Sequence, residues 1–250
     1  MRPVAHNTRS PAMHATNLRR SGPDLAAGVL PLLLLSLPAW VIFDLPVGYL
    51  MQVLAGYGAL ALLVLRQPPA TLPAPGLGTA NRVTLGRATL VLPVAALALQ
   101  PAILTTGGYW WIIGVSTVAM VLDGVDGWVA RRADTLSSFG ARFDMELDAL
   151  LMLALSVLVW ESGKVGPWVI GIGALRYVFV AAGWMWPALR AVLPPSTRRK
   201  SVCVVQGVAL LICLGPIVQA TLALSVASVA LLALTYSFAV DTVWLVRHAP

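Results

Sequence analysis

The sequence predicts an all-α fold, a polytopic membrane helix bundle with a six-helix catalytic core and two extra N-terminal transmembrane helices. Three observations predict it. Of 250 residues, 58% are hydrophobic and only 11% charged, with a mean hydropathy of +0.83, far more apolar than a soluble domain. Apolar runs of about 18 to 23 residues recur, each long enough to cross a ~30 Å hydrocarbon core. The runs lack period-two alternation and must satisfy their backbone groups internally, which means helices and not a barrel. A net charge of +7 does not imply nucleic acid as a partner, because the basic residues are scattered over short connections and not gathered in one stripe with aromatics.

Residues 1–24 carry Arg2, Arg9, Arg19 and Arg20 among Pro, Ser and Asn and read as a disordered cytoplasmic tail. The Leu-rich run 25–43 lacks a small-residue cleavage site and reads as an uncleaved helix, and 47–65 returns the chain to the starting side, so 25–66 form the N-terminal pair. Residues 67–80, with four prolines between Gln67 and Gly78, read as a linker. The core domain, 81–250, is expected to hold spans at 88–104, 110–128, 144–160, 167–189, 201–222 and 223–246, with the last two parted near Gln219 to Thr221.

Basic residues orient the bundle. With eight helices and an inside N-terminus, fifteen of the seventeen Lys and Arg fall on the inner side, Lys164 falls outside and Arg176 lies within a span. Trp40, Trp110, Trp111, Trp160 and Trp168 then sit near outer ends and Trp128, Trp184, Trp186 and Trp244 near inner ends, as an interfacial belt requires. This places the protein in the cell or inner membrane. Cys203 and Cys213 stand ten apart in one run, about 15 Å along a helix, too far for a disulfide or a shared metal.

The chemistry concentrates between Asp123 and Asp148, which hold six of the ten acidic residues: Asp123, Asp126, Asp134, Asp144, Glu146 and Asp148. On helices Asp123 and Asp126 are i, i+3 and Asp144 and Asp148 are i, i+4, so each pair projects from one face. Four carboxylates converging at the ends of apolar helices repel strongly unless something cationic sits among them. A pair of divalent ions, Mg2+ or Mn2+, answers that need. Asp134 and Glu146 fall off this face and are expected to be solvated or to face headgroups.

The stretch reads D-x-x-D-G-x-x-A-R, eight residues, G-x-x-x-D-x-x-x-D, through Asp123, Asp126, Gly127, Ala130, Arg131, Gly140, Asp144 and Asp148. It resembles the signature of the CDP-alcohol phosphatidyltransferase family. The resemblance implies a membrane transferase of phospholipid synthesis, in which an alcohol attacks a phosphate of a CDP-linked lipid and CMP leaves. Asp123, Asp126, Asp144 and Asp148 then become the metal ligands, and Asp148 also the general base. Gly127, Ala130 and Gly140 would let a nucleotide approach the backbone, with Asp126 beside it, and Arg131 offers a planar fork to phosphate or cytosine. Asn81, Thr84 and Arg87 fit an N-x-x-T-x-x-R element that precedes the first core helix of relatives, and Asn81 and Thr84 are expected at the nucleotide. Arg176, an arginine within a span, is expected at the acceptor, and Arg198, Arg199 and Lys200 form a basic connection suited to an anionic acceptor or to lipid headgroups. A homodimer is also implied.

The expected partners are CDP-diacylglycerol and a small alcohol, phosphorylated or not. Met145 and Ala149-Leu150 stand where members that make phosphatidylglycerol phosphate carry Pro and Lys, which weakens the case for a glycerol-phosphate acceptor. The alternatives are transfer of a phospho-headgroup from a CDP-alcohol to a lipid hydroxyl and, in another class, divalent-cation transport, which needs carboxylates near mid-membrane but has no use for Gly127, Ala130 and Arg131.

Overall fold

A computed structural model describes the backbone of residues 11–67, 77–100, 105–133, 138–191, 193–194 and 196–248, and the side chains of these except 11–20, 79–80, 125–133 and 138. The described residues form eight α-helices and no strand: α1 (Pro11–Ile42), α2 (Val47–Leu65), α3 (Thr79–Leu97), α4 (Thr106–Ala133), α5 (Ser138–Glu161), α6 (Ile170–Met185), α7 (Thr197–Leu214) and α8 (Ala220–His248). Short 3-10 turns at Pro167–Val169 and Pro187–Arg190 flank α6. Among these, Ser21–Ile42, Val47–Leu65, Pro167–Met185 and Ala220–His248 have the length and apolar composition of membrane spans. The chain is a multi-pass membrane protein, and its outer surface agrees: Leu30, Leu34, Val41, Met51, Val229 and Leu232 point outward, as side chains against lipid do.

Three expectations need correcting. α1 begins at Pro11, so residues 11–24 are helical where an irregular tail was expected; Pro23, Pro31 and Pro38 lie inside it and each removes one backbone donor, a loss that helices packed in a membrane bundle tolerate. The Asn81 to Arg87 element lies within α3 and not before it, which puts Asn81, Thr84 and Arg87 at i, i+3 and i+6 on one face. The break between α7 and α8 falls at Gly215 to Gln219. Gly215 and Pro216 end α7 there: Gly215 N bonds Ile212 O at 3.0 Å and Val218 N bonds Gly215 O at 2.9 Å. The linker residues 68–76 lie outside the described residues.

α3 is the hub. It packs against α1, α2, α4 and α5, while α5 packs in turn on α6 and α7, and α7 on α4 and α8. The buried side chains recur at helical spacing: Ala88, Val91 and Val94 on α3, Leu151, Leu155 and Leu158 on α5, Leu210 and Leu214 on α7. Two glycines set the close crossings. A Cβ at Gly173 would overlap the backbone of Leu153, and one at Gly207 would overlap Met120, so α6 lies directly on α5 and α7 on α4.

The N-terminal pair is clasped to α3 by polar contacts. Asp24 accepts a bond from Leu77 N at 3.0 Å and pairs with Arg82 Nε at 2.9 Å. Gln100 Nε2, beyond the end of α3, donates to Gln52 Oε1 at 2.6 Å, while within the pair Tyr57 Oη of α2 donates to Leu25 O of α1 at 2.6 Å. At another point of the bundle Lys164 Nζ, in the turn after α5, donates to Cys213 O at 3.2 Å and Gly215 O at 2.5 Å, capping the last carbonyls of α7.

Candidate active site

Asp123 near the middle of α4 and Asp144 and Asp148 on the first half of α5 meet in one place. One oxygen from each lies within 4.8 Å of the other two, and all three are half-buried. The i, i+4 spacing of Asp144 and Asp148 on α5 and the packing of α4 and α5 on the common neighbour α3 produce this convergence.

Arg87 of α3 reaches into the middle of it. Its side chain is fully buried, and its Nη1 lies 2.8 Å from Asp123 Oδ1. Nη1 also bonds Asp144, Nη2 bonds Asp148, and Nε donates to the Ala119 carbonyl of α4 at 3.1 Å. A guanidinium suits this post because its donors are held in a rigid fork, whereas an ammonium presents a single point of charge. The sequence argument called for a cation among the carboxylates, and the chain supplies one of its own. Its place in the N-x-x-T-x-x-R element marked it as a motif residue, but no role among the carboxylates was assigned to it from sequence.

Among the described residues, three carboxylates face one guanidinium, an excess of acid over base. The donor set is entirely hard oxygen and half open to solvent, which fits a divalent cation of the magnesium or manganese kind. Asp123, Asp144 and Asp148 are the described residues able to hold it. Asp126, Gly127, Ala130 and Arg131 follow Asp123 along α4, but their side chains lie outside the described residues. Gly140 lies in the first turn of α5, partly exposed.

Asn81 and Thr84 are buried on α3, and Asn81 Nδ2 donates to Leu77 O at 2.9 Å, so its amide holds the start of its own helix. Beside Asp148 lies a cavity of about 500 Å3 between α5, α6, α7 and α8. Asp148, Arg176, Arg199 and Asp241 supply its charges, Gln206 lies in its wall, and the remainder is mostly Met, Val, Leu, Ile and Phe. Arg176 therefore does face the expected place, but its Nη2 pairs with Glu146 Oε1 at 2.5 Å. Glu146, two residues beyond Asp144 on α5, is exposed as expected, with its side chain 59% accessible, and from there it also reaches Arg176 of α6.

Arg198 and Arg199 converge on Asp241 of α8. Arg198 Nη2 lies 2.5 Å from Asp241 Oδ1 and its Nη1 donates to Ser237 O at 2.6 Å and Ser237 Oγ at 2.8 Å. Arg199 Nη1 lies 3.5 Å from the same carboxylate, and Arg199 Nη2 donates to Pro194 O. Lys200 is exposed and stands apart from this group. Asp241 and Gln206 were not assigned a role from sequence; a carboxylate deep in an apolar helix such as α8 was the available signal for Asp241.

No solved structure matches the chain. The sequence model of CDP-alcohol phosphatidyltransferases matches residues 77–240, a stretch that takes in all of α3 to α7 and most of α8 and leaves α1 and α2 outside. Arg87, the three converging carboxylates and all of the named cavity lining except Asp241 fall within it. Spacing, geometry and match thus agree, and the chain belongs to the CDP-alcohol phosphatidyltransferase family, membrane transferases that move a phosphate-bearing group from a CDP-alcohol to an acceptor alcohol.

Proposed function

We propose that the protein transfers the phosphatidyl group of CDP-diacylglycerol to a small alcohol and releases CMP. The observation that carries this reading is the position of Asp148, which belongs both to the carboxylate centre and to the cavity wall. An alcohol in the cavity has its hydroxyl at a base, and a diphosphate at the carboxylate centre has its phosphorus within reach of that hydroxyl. As the alcohol oxygen bonds to the phosphorus that bears the diacylglycerol, its proton passes to Asp148. The bond from that phosphorus to the CMP oxygen breaks, and CMP leaves with the electron pair.

Asp123, Asp126, Asp144 and Asp148 would hold the divalent ions, two Mg2+ or Mn2+. When bound, these ions supply positive charge against the diphosphate and the departing CMP oxygen. Arg87 keeps three of those carboxylates gathered in the absence of metal. On the nucleotide side, Gly127, Ala130 and Gly140 leave the backbone approachable, Asp126 and Arg131 contact the CDP group, and Asn81 and Thr84 shape the adjoining face of α3. On the acceptor side stand Arg176, Arg198, Arg199 and Lys200. The excess of Lys and Arg at the inner ends favours a site on the cytoplasmic side of the cell membrane, and a homodimer is the expected assembly.

The test is CMP release by the purified full-length protein given CDP-diacylglycerol, Mg2+ and a panel of alcohols. Alcohol-dependent CMP release, lost on chelation with EDTA, is the expected result. Its absence with every alcohol, together with ion uptake into vesicles, would replace the enzyme by a transporter.

A further inference from the structure

A second pocket, of about 770 Å3, lies where α5 begins and α6 ends. Arg142 of α5, Phe179, Val180 and Trp184 of α6, and Leu189 and Arg190 of the turn that follows line it, and no acid is among its described lining. Arg142 is exposed and makes no hydrogen bond or ion pair among the described residues. The acids that follow it on α5 are engaged elsewhere, Asp144 by Arg87 and Glu146 by Arg176. Arg190 is held in place: its Nε donates to Gly183 O at 2.6 Å and its Nη2 to Trp184 O at 3.3 Å, which closes the last carbonyls of α6. Its Nη1 makes no bond among the described residues. One fixed and one free guanidinium thus border a space with no counter-charge of its own.

The pocket lies at the depth of lipid headgroups. α6 completes the apolar span Pro167–Met185, and Trp184, Met185 and Trp186 at its end are exposed. Tryptophan at the end of a span sits where acyl chains meet headgroups. The anion met there is the phosphate of a lipid, and basic pockets between helices at this level take anionic headgroups. Arginine suits a phosphate because its planar donors meet two oxygens at once. Phe179, Val180 and Leu189 add an apolar side on which the first carbons of the acyl chains can lie.

We infer that this pocket binds an anionic glycerophospholipid, its phosphate between Arg142 and Arg190 and its glycerol end beside Trp184. The inference is independent of the transfer reaction proposed above. The bound lipid ties the start of α5 to the end of α6, and it touches Phe179 and Val180, which also line the cavity beside Asp148.

The experiment measures tryptophan quenching by brominated lipids in the full-length protein reconstituted into phosphatidylcholine bilayers, with Trp184→Phe as the reference that isolates the Trp184 signal. At Trp184, brominated phosphatidylglycerol should be preferred to brominated phosphatidylcholine, and Arg142→Gln should lower that preference about fivefold, the worth of one basic residue at this depth. Because Arg142 bonds nothing in the fold, the variant should melt as the parent does in pure phosphatidylcholine. Phosphatidylglycerol should raise the melting temperature of the parent more than that of the variant. Arg247→Gln is the control: Arg247, at the end of α8 and outside the pocket, is also exposed and without a partner among the described residues, and its loss should leave the preference unchanged. Equal loss of preference in both variants would reduce the effect to the general charge of the surface and overturn the inference. Equal quenching by the two lipids in the parent, or a preference indifferent to Arg142→Gln, overturns it as well. Relief of the quenching by inorganic phosphate added in solution would assign the pocket to a soluble phosphate compound and overturn the lipid.

Discussion

Two charged clusters in this bundle are near inversions of each other. At the junction of α3, α4 and α5 one arginine serves three carboxylates; between α7 and α8 one carboxylate serves two arginines. Among the described residues the first has more acid than base and lies half open, which suits a cation. The second leaves one positive charge over, distributes its donors among Ser237, Asp241 and Pro194, and holds the start of α7 against α8. The difference lies in what remains unsatisfied. An excess of charge at a partly open site invites a ligand, whereas an excess absorbed by backbone and hydroxyl oxygens makes a joint.

The sharpest way to break that contrast is Asp144→Asn. Transfer should fall by roughly a thousandfold or more, because several kcal/mol of charge stabilisation goes with the ligand. The apo protein should be no less stable than before, since two carboxylates still flank Arg87. Mg2+ should raise the melting temperature of the parent and not of the variant, as linkage to binding requires. A folded variant with ordinary CMP release would remove Asp144 from the centre.

Arg87→Met comes next. Removing the buried cation leaves three carboxylates facing one another, a loss of about 3 to 5 kcal/mol, and Mg2+ should restore part of the melting temperature. Indifference of the melting temperature to this substitution would show that Arg87 does not hold the centre together. Asp241→Asn should cost less, about 1 to 2 kcal/mol, because Arg198 keeps its two bonds to Ser237, and CDP-diacylglycerol binding should be untouched. A collapse of donor binding there would show that the joint belongs to the nucleotide site. The smallest effect is expected from Asp24→Asn, at most about 1 kcal/mol, because Arg82 is largely exposed, with its side chain 54% accessible, and an asparagine still accepts from Leu77 N. Differential scanning in detergent measures all three; a large loss from Asp24→Asn would mean that the N-terminal pair is essential to α3.

The apolar runs made the helices legible, and fixed spacing made Asp123, Asp144 and Asp148 legible, because both are properties of one stretch of chain. What was hidden depends on how one helix is rotated against another. Glu146 and Arg176 are thirty residues apart, and only the approach of α6 onto α5 at Gly173 turns them together. Asp241 and Arg198 likewise meet only because α8 folds back along α7. Gln206 reads in sequence as one polar residue in an apolar helix, and only the packing of α8 on α7 brings it the Ala230 carbonyl that its amide bonds. Arg87 was visible as a motif residue, yet its partners were claimed in advance for metal. The misplaced end of α7 is a different kind of miss, since Gly215-Pro216 is a local stop signal that was passed over.

The clamp of Lys164 on the carbonyls of Cys213 and Gly215 holds one end of α7. α7 is 18 residues long, about 27 Å, and the opposite end carries Arg198 and Arg199, which bind it to α8. α7 is thus pinned at both ends, to the turn after α5 by Lys164 and to α8 by the two arginines, and the wall it lends to the cavity is a strut rather than a helix held at one point.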